Sequence, residues 1–296
     1  MKHRGGKMKF GSRLRNYNWK GMRASEKRFQ IGIEVVMCVV TLLAFVPILV
    51  MIFTSVKSNA EIYGNFFAFP KHIAWENYHD AFALLVRNML NTLLVVSIAV
   101  ALTLVLAALG GFVFATMHFP GKNFLFLALI ALMMIPGSLY LTPNYILVQK
   151  LHIYNSWWAL ILPWISGGQV LGIVLCRNAI EQLPKDLFEA ARLEGCNPIQ
   201  SLLYIALPLA KPILSTVAIM QLVAYYNDFI WPMLVVESND QQVITVAVRV
   251  FTSSQGTVRI GSMFAGYTIA TLPIFILFLF TSRLYMEGLT SGAVKG

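Results

Sequence analysis

Six long runs free of lysine, arginine and glutamate constrain this chain more than any other feature. They are Val35 to Val56, Asn88 to Thr116, Asn123 to Gln149, Ile153 to Cys176, Pro212 to Val236 and Ile260 to Ser282, and the one acid among them is Asp228. A helix rises 1.5 Å per residue and a bilayer's hydrocarbon is about 30 Å thick, so roughly 20 residues suffice for a crossing. Every run meets that length. No water is present at that depth to satisfy peptide groups, so each run must close its own hydrogen bonds as a helix. With 57% hydrophobic and 12% charged residues, an ordinary soluble domain is excluded. The expected fold class is all-α, a polytopic membrane protein with six transmembrane helices.

The net charge of +10 could suggest nucleic acid, but its placement argues otherwise. Residues 1–28 carry ten Lys or Arg and one acid, Glu26. Basic residues immediately before a first span hold that terminus in the cytoplasm, so 1–28 reads as a basic cytoplasmic tail that touches anionic lipid, and 29–296 as one transmembrane domain. Six spans then put both termini inside. The inside segments hold 17 of the 23 Lys and Arg and the outside segments hold 6, which places the span four to five connection in the cytoplasm. The first run is too long for a cleaved signal and lacks a small-x-small site. Cys38, Cys176 and Cys196 show neither paired nor metal-ligand spacing, and no metal site is expected.

Two of the three outer connections are long. The first, Lys57 to Arg87, is aromatic and charge-balanced and reads as a loop lying along the membrane surface. The other, Glu237 to Arg259, is polar with a β-branched stretch from Val243 to Val250. Pro136 and Pro143 are expected to interrupt the third span, since proline removes a ladder donor. Such breaks persist where the freed carbonyls face protein or a water-filled cavity.

The charged connection between spans four and five is the chain's most informative local segment. Asp186 to Glu194 predicts a short amphipathic helix, with Glu189 and Arg192 on one face and Leu187, Ala190 and Ala191 on faces suited to packing. Gly195 suits a left-handed helix end. Asn197 followed by Pro198 predicts a new helix start, whose Ile199, Leu202, Leu203 and Tyr204 enter the bilayer edge. Pro208 and Pro212 are expected to bend the chain into span five, leaving helix, turn and helix parallel to the membrane. Periodicity alone leaves this an amphipathic connector, with or without a partner.

Glu189, Ala190, Ala191, Gly195, Ile205, Leu207 and Pro208 stand at the spacing of the EAA loop of ABC importer permeases, which this segment resembles. The resemblance implies that Asp186, Glu189, Ala190, Ala191, Arg192, Gly195, Leu207 and Pro208 couple to a partner ATPase dimer, with Glu189 pairing with a basic residue there. Three further stretches resemble the carbohydrate-uptake branch, specifically the second, maltose-type permease subunit. They are Tyr225 to Pro232 (Tyr226 standing where the family has tryptophan), Met133 to Pro136 with Thr142-Pro143, and the tail Glu287 to Gly296. The likeness covers 29–296. It implies a second, different permease subunit, an extracytoplasmic sugar-binding protein, a sugar substrate and a bacterial cytoplasmic (inner) membrane location. It also implies a tail that reaches the ATPase through Gly288, Gly292 and Lys295.

Sugar recognition needs aromatic faces and a few placed polar groups on an apolar wall. Tyr140, Asn144, Tyr145, Tyr226, Asn227, Asp228 and Trp231 are the candidates for a substrate path. Asp228 keeps three readings, as a structural bond or cap, a sugar contact, or a gate. An enzyme reading, such as a membrane-embedded transferase, lacks the acidic or metal-binding clusters that chemistry requires. A stand-alone secondary carrier lacks internal repeat symmetry. No phosphate-binding G-x-x-x-x-G-K-[ST] occurs, so the chain is expected to bind no cofactor, with ATP and magnesium on partner subunits. An importer permease for a non-sugar solute remains the alternative.

Overall fold

The computed structural model describes the backbone of residues 24–253 and 259–293, with side chains within 27–251 and 259–281. The described residues are helical throughout, apart from turns and connections. Among the described residues, five helices are long and apolar enough to cross a membrane, or six if one bent pair counts as a span. The chain divides into two units, Met1–Phe53 and Thr54–Gly296. The first is the main part of α1 (Ala24–Ser55), apolar around its whole circumference.

In the second unit, α3 (Glu76–Thr116) is the organising element. Its 41 residues extend about 60 Å, twice the hydrocarbon thickness, and it begins twelve residues before the apolar run expected for span two. The expected outer loop from Lys57 to Arg87 is therefore corrected. It holds α2 (Asn59–Gly64), closed by a Ser58–Glu61 capping box, and the first turns of α3. The buried positions Ala81, Leu85, Asn88, Thr92, Val95, Ala99, Thr103 and Ala107 recur at three- and four-residue spacing. That stripe faces α6 (Trp158–Glu181), α9 (Leu207–Asn227) and α13 (Ile260–Ala293).

Small residues set how closely these helices approach, as lipid-embedded packing requires. A β-carbon added to Gly172 would lie 2.6 Å from the Ala107 methyl, and one added to Gly168 would meet the Tyr225 hydroxyl and the Gln221 amide. Polar bonds tie the same interfaces. The Tyr225 hydroxyl donates to the Trp164 carbonyl (2.7 Å), and Gln221 Nε2 donates to the Gly168 carbonyl (3.3 Å). Tyr226 donates to the Ala270 carbonyl of α13 (2.7 Å).

The third span has a single break, not two. α4 (Lys122–Met133) ends before Pro136, and a 3-10 turn (Gly137–Tyr140) leads into α5 (Leu141–Lys150) at a 95° bend. Pro143 sits in the first turn of α5, where a missing N–H costs no ladder bond.

The Glu237 to Arg259 connection also departs from expectation. Val243 to Val250 contributes to helical turns, α11 (Ile244–Ala247) and α12 (Val250–Ser253), with Val243, Ile244, Val246 and Phe251 buried. Side chains of α3 anchor it. Asn88 Nδ2 donates to the carbonyls of Asn239 and Gln242 (2.9 Å each), Asn91 Nδ2 to that of Asp240 (2.8 Å), and Thr92 Oγ1 accepts from the Ile244 amide (2.7 Å). From the α5–α6 turn, Tyr154 donates to Glu237 (2.7 Å), and that bond pushes the phenol well above its usual pKa.

Candidate coupling loop and central cavity

The connection after α6 carries the first candidate site. α7 (Lys185–Leu193) follows Pro184 and ends in a Schellman turn, with Gly195 N–H bonded to the Arg192 carbonyl (3.1 Å) and Cys196 N–H to the Ala191 carbonyl (2.9 Å). Gly195 has φ +82°, a conformation that disfavours any side chain. Asn197 then caps α8 (Pro198–Ser201) through a reciprocal box with Gln200, both bonds 2.8 Å.

Beyond this point the expected bend is corrected. α8 runs through a π turn (Leu202–Ala206) into α9 as one helical stretch from Pro198 to Asn227. Pro208 has no N–H for the Tyr204 carbonyl, and the widened turn instead bonds the Leu207 amide to the Leu202 carbonyl. Leu207 and Pro208 therefore begin span five rather than end a separate helix. Leu202 is buried, while Ile199, Leu203 and Tyr204 are exposed.

The face of α7 that packs is not the expected one. Ala191 is buried, but Leu187 and Ala190 are exposed. The anchor is Phe188, whose ring stands 6.2 Å from that of Phe112 on α3, within a cluster containing Ile180, Leu202 and Ala206. Sequence reasoning missed Phe188, although its three-residue offset from Ala191 was the available signal. Asp186, Glu189, Ala190 and Arg192 all remain on the exposed side.

A second site opens at the α4–α5 break. Tyr140, Asn144 and Trp231 line one cavity of 350 Å³, with Trp164, Ser166 and Gly167 of α6 beside them. Trp164 lies in the core, stacked on Tyr225 with centroids 5.2 Å apart. Sequence reasoning missed these α6 residues, although Trp164 followed by the polar Ser166 within an uncharged run was the available signal.

The other four candidates are held elsewhere. Tyr145 packs edge-on to Tyr154 (5.8 Å). Tyr226 is buried against α13, and the exposed Asn227 bonds the Val223 carbonyl of its own helix (2.9 Å). Asp228 ends α9. Its carboxylate accepts Trp164 Nε1–H (2.7 Å) and the Trp231 amide (3.3 Å), starting the short helix α10 (Ile230–Val235). Span five, expected to reach Val236, is thus broken at Asp228. Gly288 and Gly292 fall where only the backbone of α13 is described, and Lys295 lies outside the described residues.

Removing the Asp228 carboxylate orphans two donors, each costing about 1–3 kcal/mol when buried. Asp228→Ala is therefore expected to lower the thermal midpoint in detergent, while Asp228→Asn, which keeps one acceptor oxygen, loses less. Equal midpoints for wild type and Asp228→Ala would contradict this account.

Residues 21–286 match the family of the binding-protein-dependent transport system inner membrane component. The arabinooligosaccharides transport system permease protein AraQ of Halalkalibacterium halodurans is 30% identical over 263 residues, covering 87% of this chain and 93% of that one. The trehalose transport system permease protein SugB of Mycobacterium tuberculosis is 31% identical over 230 residues, covering 77% and 84%. A crystal structure of a bacterial ABC transporter involved in alginate import superposes with a TM-score of 0.77 at 18% identity, over 88% of this chain and 98% of that chain. The chain therefore belongs to the binding-protein-dependent transport system inner membrane components, as a multi-pass permease subunit of an ABC importer and not itself an enzyme.

Proposed function

We propose that this chain forms half of a translocation path for a neutral sugar or oligosaccharide, driven by a partner ATPase dimer that grips α7. The observation that carries the coupling half is the α7–Gly195–α8 corner. Phe188 and Leu202 fix it to the ends of α3 and α6, while Asp186, Glu189, Ala190 and Arg192 stay exposed. A rigid anchor beneath an exposed polar face passes a push into the spans. The distribution of lysine and arginine supports a cytoplasmic position for this corner, with both termini on the same side. Gly288, Gly292 and Lys295 complete the proposed ATPase contact.

The cargo reading rests on the cavity and on the relatives. Those relatives are named for arabinooligosaccharides and trehalose. Tyr140, Trp164 and Trp231 supply aromatic groups, Asn144 and Ser166 supply hydroxyl partners, and no charged side chain lines the cavity among the described residues. A carboxylated sugar would leave an uncompensated charge there, which is costly. A second, different permease subunit supplies the other half of the path, and an extracytoplasmic binding protein delivers the sugar.

The test is purification from native membrane in mild detergent, followed by reconstitution with whatever co-purifies. Recovery of a second permease and a P-loop ATPase, with ATP-dependent uptake of a neutral oligosaccharide, is the expected result. A chain active alone, or a complex that imports only a non-sugar solute, would overturn this reading.

A further inference from the structure

A cleft of 540 Å³ opens between the α3–α4 turn and α7, and its chemistry is divided. Ala115, Ile180, Leu183 and Phe188 form one wall; His118, Lys122, Lys185, Arg192, Glu181 and Glu189 bring charge to the rest. The two acids do not balance the bases. Glu181 is already taken by Arg177, at 2.6 Å, and that guanidinium also lies 4.0 Å over the Phe126 ring of α4. Lys122 donates to the Met117 carbonyl (3.0 Å), yet its charge still faces the cleft. The side chains of Lys185 and Arg192 make no hydrogen bond or ion pair among the described residues. Lys122, Lys185 and Arg192 therefore face only Glu189, an excess of two positive charges before His118 is considered.

Its position selects the kind of anion. The cleft sits where α3 ends at Thr116 and α6 ends at Glu181, two helices long and apolar enough to cross a membrane, so it lies where both apolar runs give way to charge. An apolar wall beside unneutralised cations at that position matches a molecule with an acyl-glycerol body and a phosphate head. Basic pockets between spans are recognised sites for anionic headgroups, and the volume lies within the usual range for a small-molecule site. We propose that this cleft holds the phosphate head of an anionic phospholipid, wedged between the α3–α4 turn and α7. Lys185 and His118 are its outer contacts. Arg192 and Glu189 of the cleft are shared with the proposed ATPase contact, but Lys185 and His118 are not. A variant at these two therefore tests the lipid without removing a coupling residue, and its failure leaves the coupling and cargo readings standing.

The experiment uses the complete transporter in nanodiscs of phosphatidylcholine with one-fifth phosphatidylglycerol. Native mass spectrometry is expected to show phosphatidylglycerol retained over phosphatidylcholine by fivefold or more in wild type. A His118→Gln/Lys185→Gln double variant should lose most of that preference. A photoreactive phosphatidylglycerol gives a variant-free readout and should label peptides spanning 115–122 and 180–192. Equal retention in wild type and variant, or labelling confined to other segments, would overturn the proposal. Displacement of the lipid by millimolar inorganic phosphate would assign the site to a free anion and overturn the lipid. Retention only when the ATPase pair is removed would assign the cleft to an acidic side chain of that partner, with the same consequence.

Discussion

Gly111→Ala should lower the stability of the detergent-solubilised chain by about 2 kcal/mol, while Gly110→Ala next to it changes stability little. The difference lies in what each new methyl meets. At Gly111 it would lie 2.5 Å from the Cys176 β-carbon and 2.9 Å from the Arg177 backbone nitrogen. Neither can rotate away, so α3 and α6 must separate along their shared face. Overpacking of this kind costs about 1–3 kcal/mol, and here the upper part of that range outweighs the roughly 1 kcal/mol that alanine gains over glycine inside a helix. At Gly110 the obstacle is the Ile173 side chain, with Cγ1 at 2.8 Å and Cδ1 at 2.9 Å. A rotamer adjustment there costs about 0.5–1.5 kcal/mol, which the same helix-propensity gain offsets. Thermal unfolding in one detergent, followed by tryptophan fluorescence, compares the pair. Equal midpoints for the two variants would show that the α3–α6 contact is looser than these distances require.

What could be read in advance divides by the range of the forces involved. The α7 corner was legible because it is built from neighbours in sequence: Gly195 takes its left-handed turn, and Asn197 and Gln200 close a box across three residues. The start of α3 was not. A search for uncharged runs finds the part of a helix that crosses hydrocarbon, whereas Glu76 to Arg87 carries charges on its exposed side while Ala81 and Leu85 continue the buried stripe. The break at Asp228 was legible in kind but not in partner. A bond to a neighbouring helix or a cap on a break near Pro232 was one of its expected roles; which helix supplies the bond, an indole on α6 sixty-four residues away, only the tertiary structure shows.

Tyr226 shows the same limit at the candidate cavity. An aromatic beside an intramembrane acid reads as a sugar contact, yet its hydroxyl has a fixed partner in the Ala270 carbonyl. Val243 to Val250 has β-branched composition but forms helical turns, because Asn88, Asn91 and Thr92 hold its approach from α3. Strand preference describes a fit to a pleated surface and yields when the tertiary frame offers none.

Glu189→Arg is expected to reduce ATP-driven import by the complete transporter at least tenfold without reducing the amount of chain in the membrane. Glu189 is exposed on α7, lines the cleft beside Arg192, and lies one residue from Phe188, which locks the helix to α3. Its carboxylate therefore has a fixed base and a free end, which suits a charge-assisted bond to a basic groove on the ATPase. Hydrogen bonds to charged groups contribute about 1.5–3 kcal/mol, and each 1.4 kcal/mol is a factor of ten in affinity. Glu189→Ala should thus weaken docking by about one to two orders of magnitude, and charge reversal should go further by adding like-charge repulsion. Glu194→Ala provides the contrast, because Glu194 is an equally exposed acid but caps the far end of α7. It should retain near-normal import. Three quantities separate the outcomes: ATPase co-purified per permease, basal ATP hydrolysis, and sugar imported per ATP. Loss of the first is failed docking, whereas normal docking with a fall in the third is uncoupling. Wild-type values for all three in Glu189→Arg would remove α7 from the coupling path.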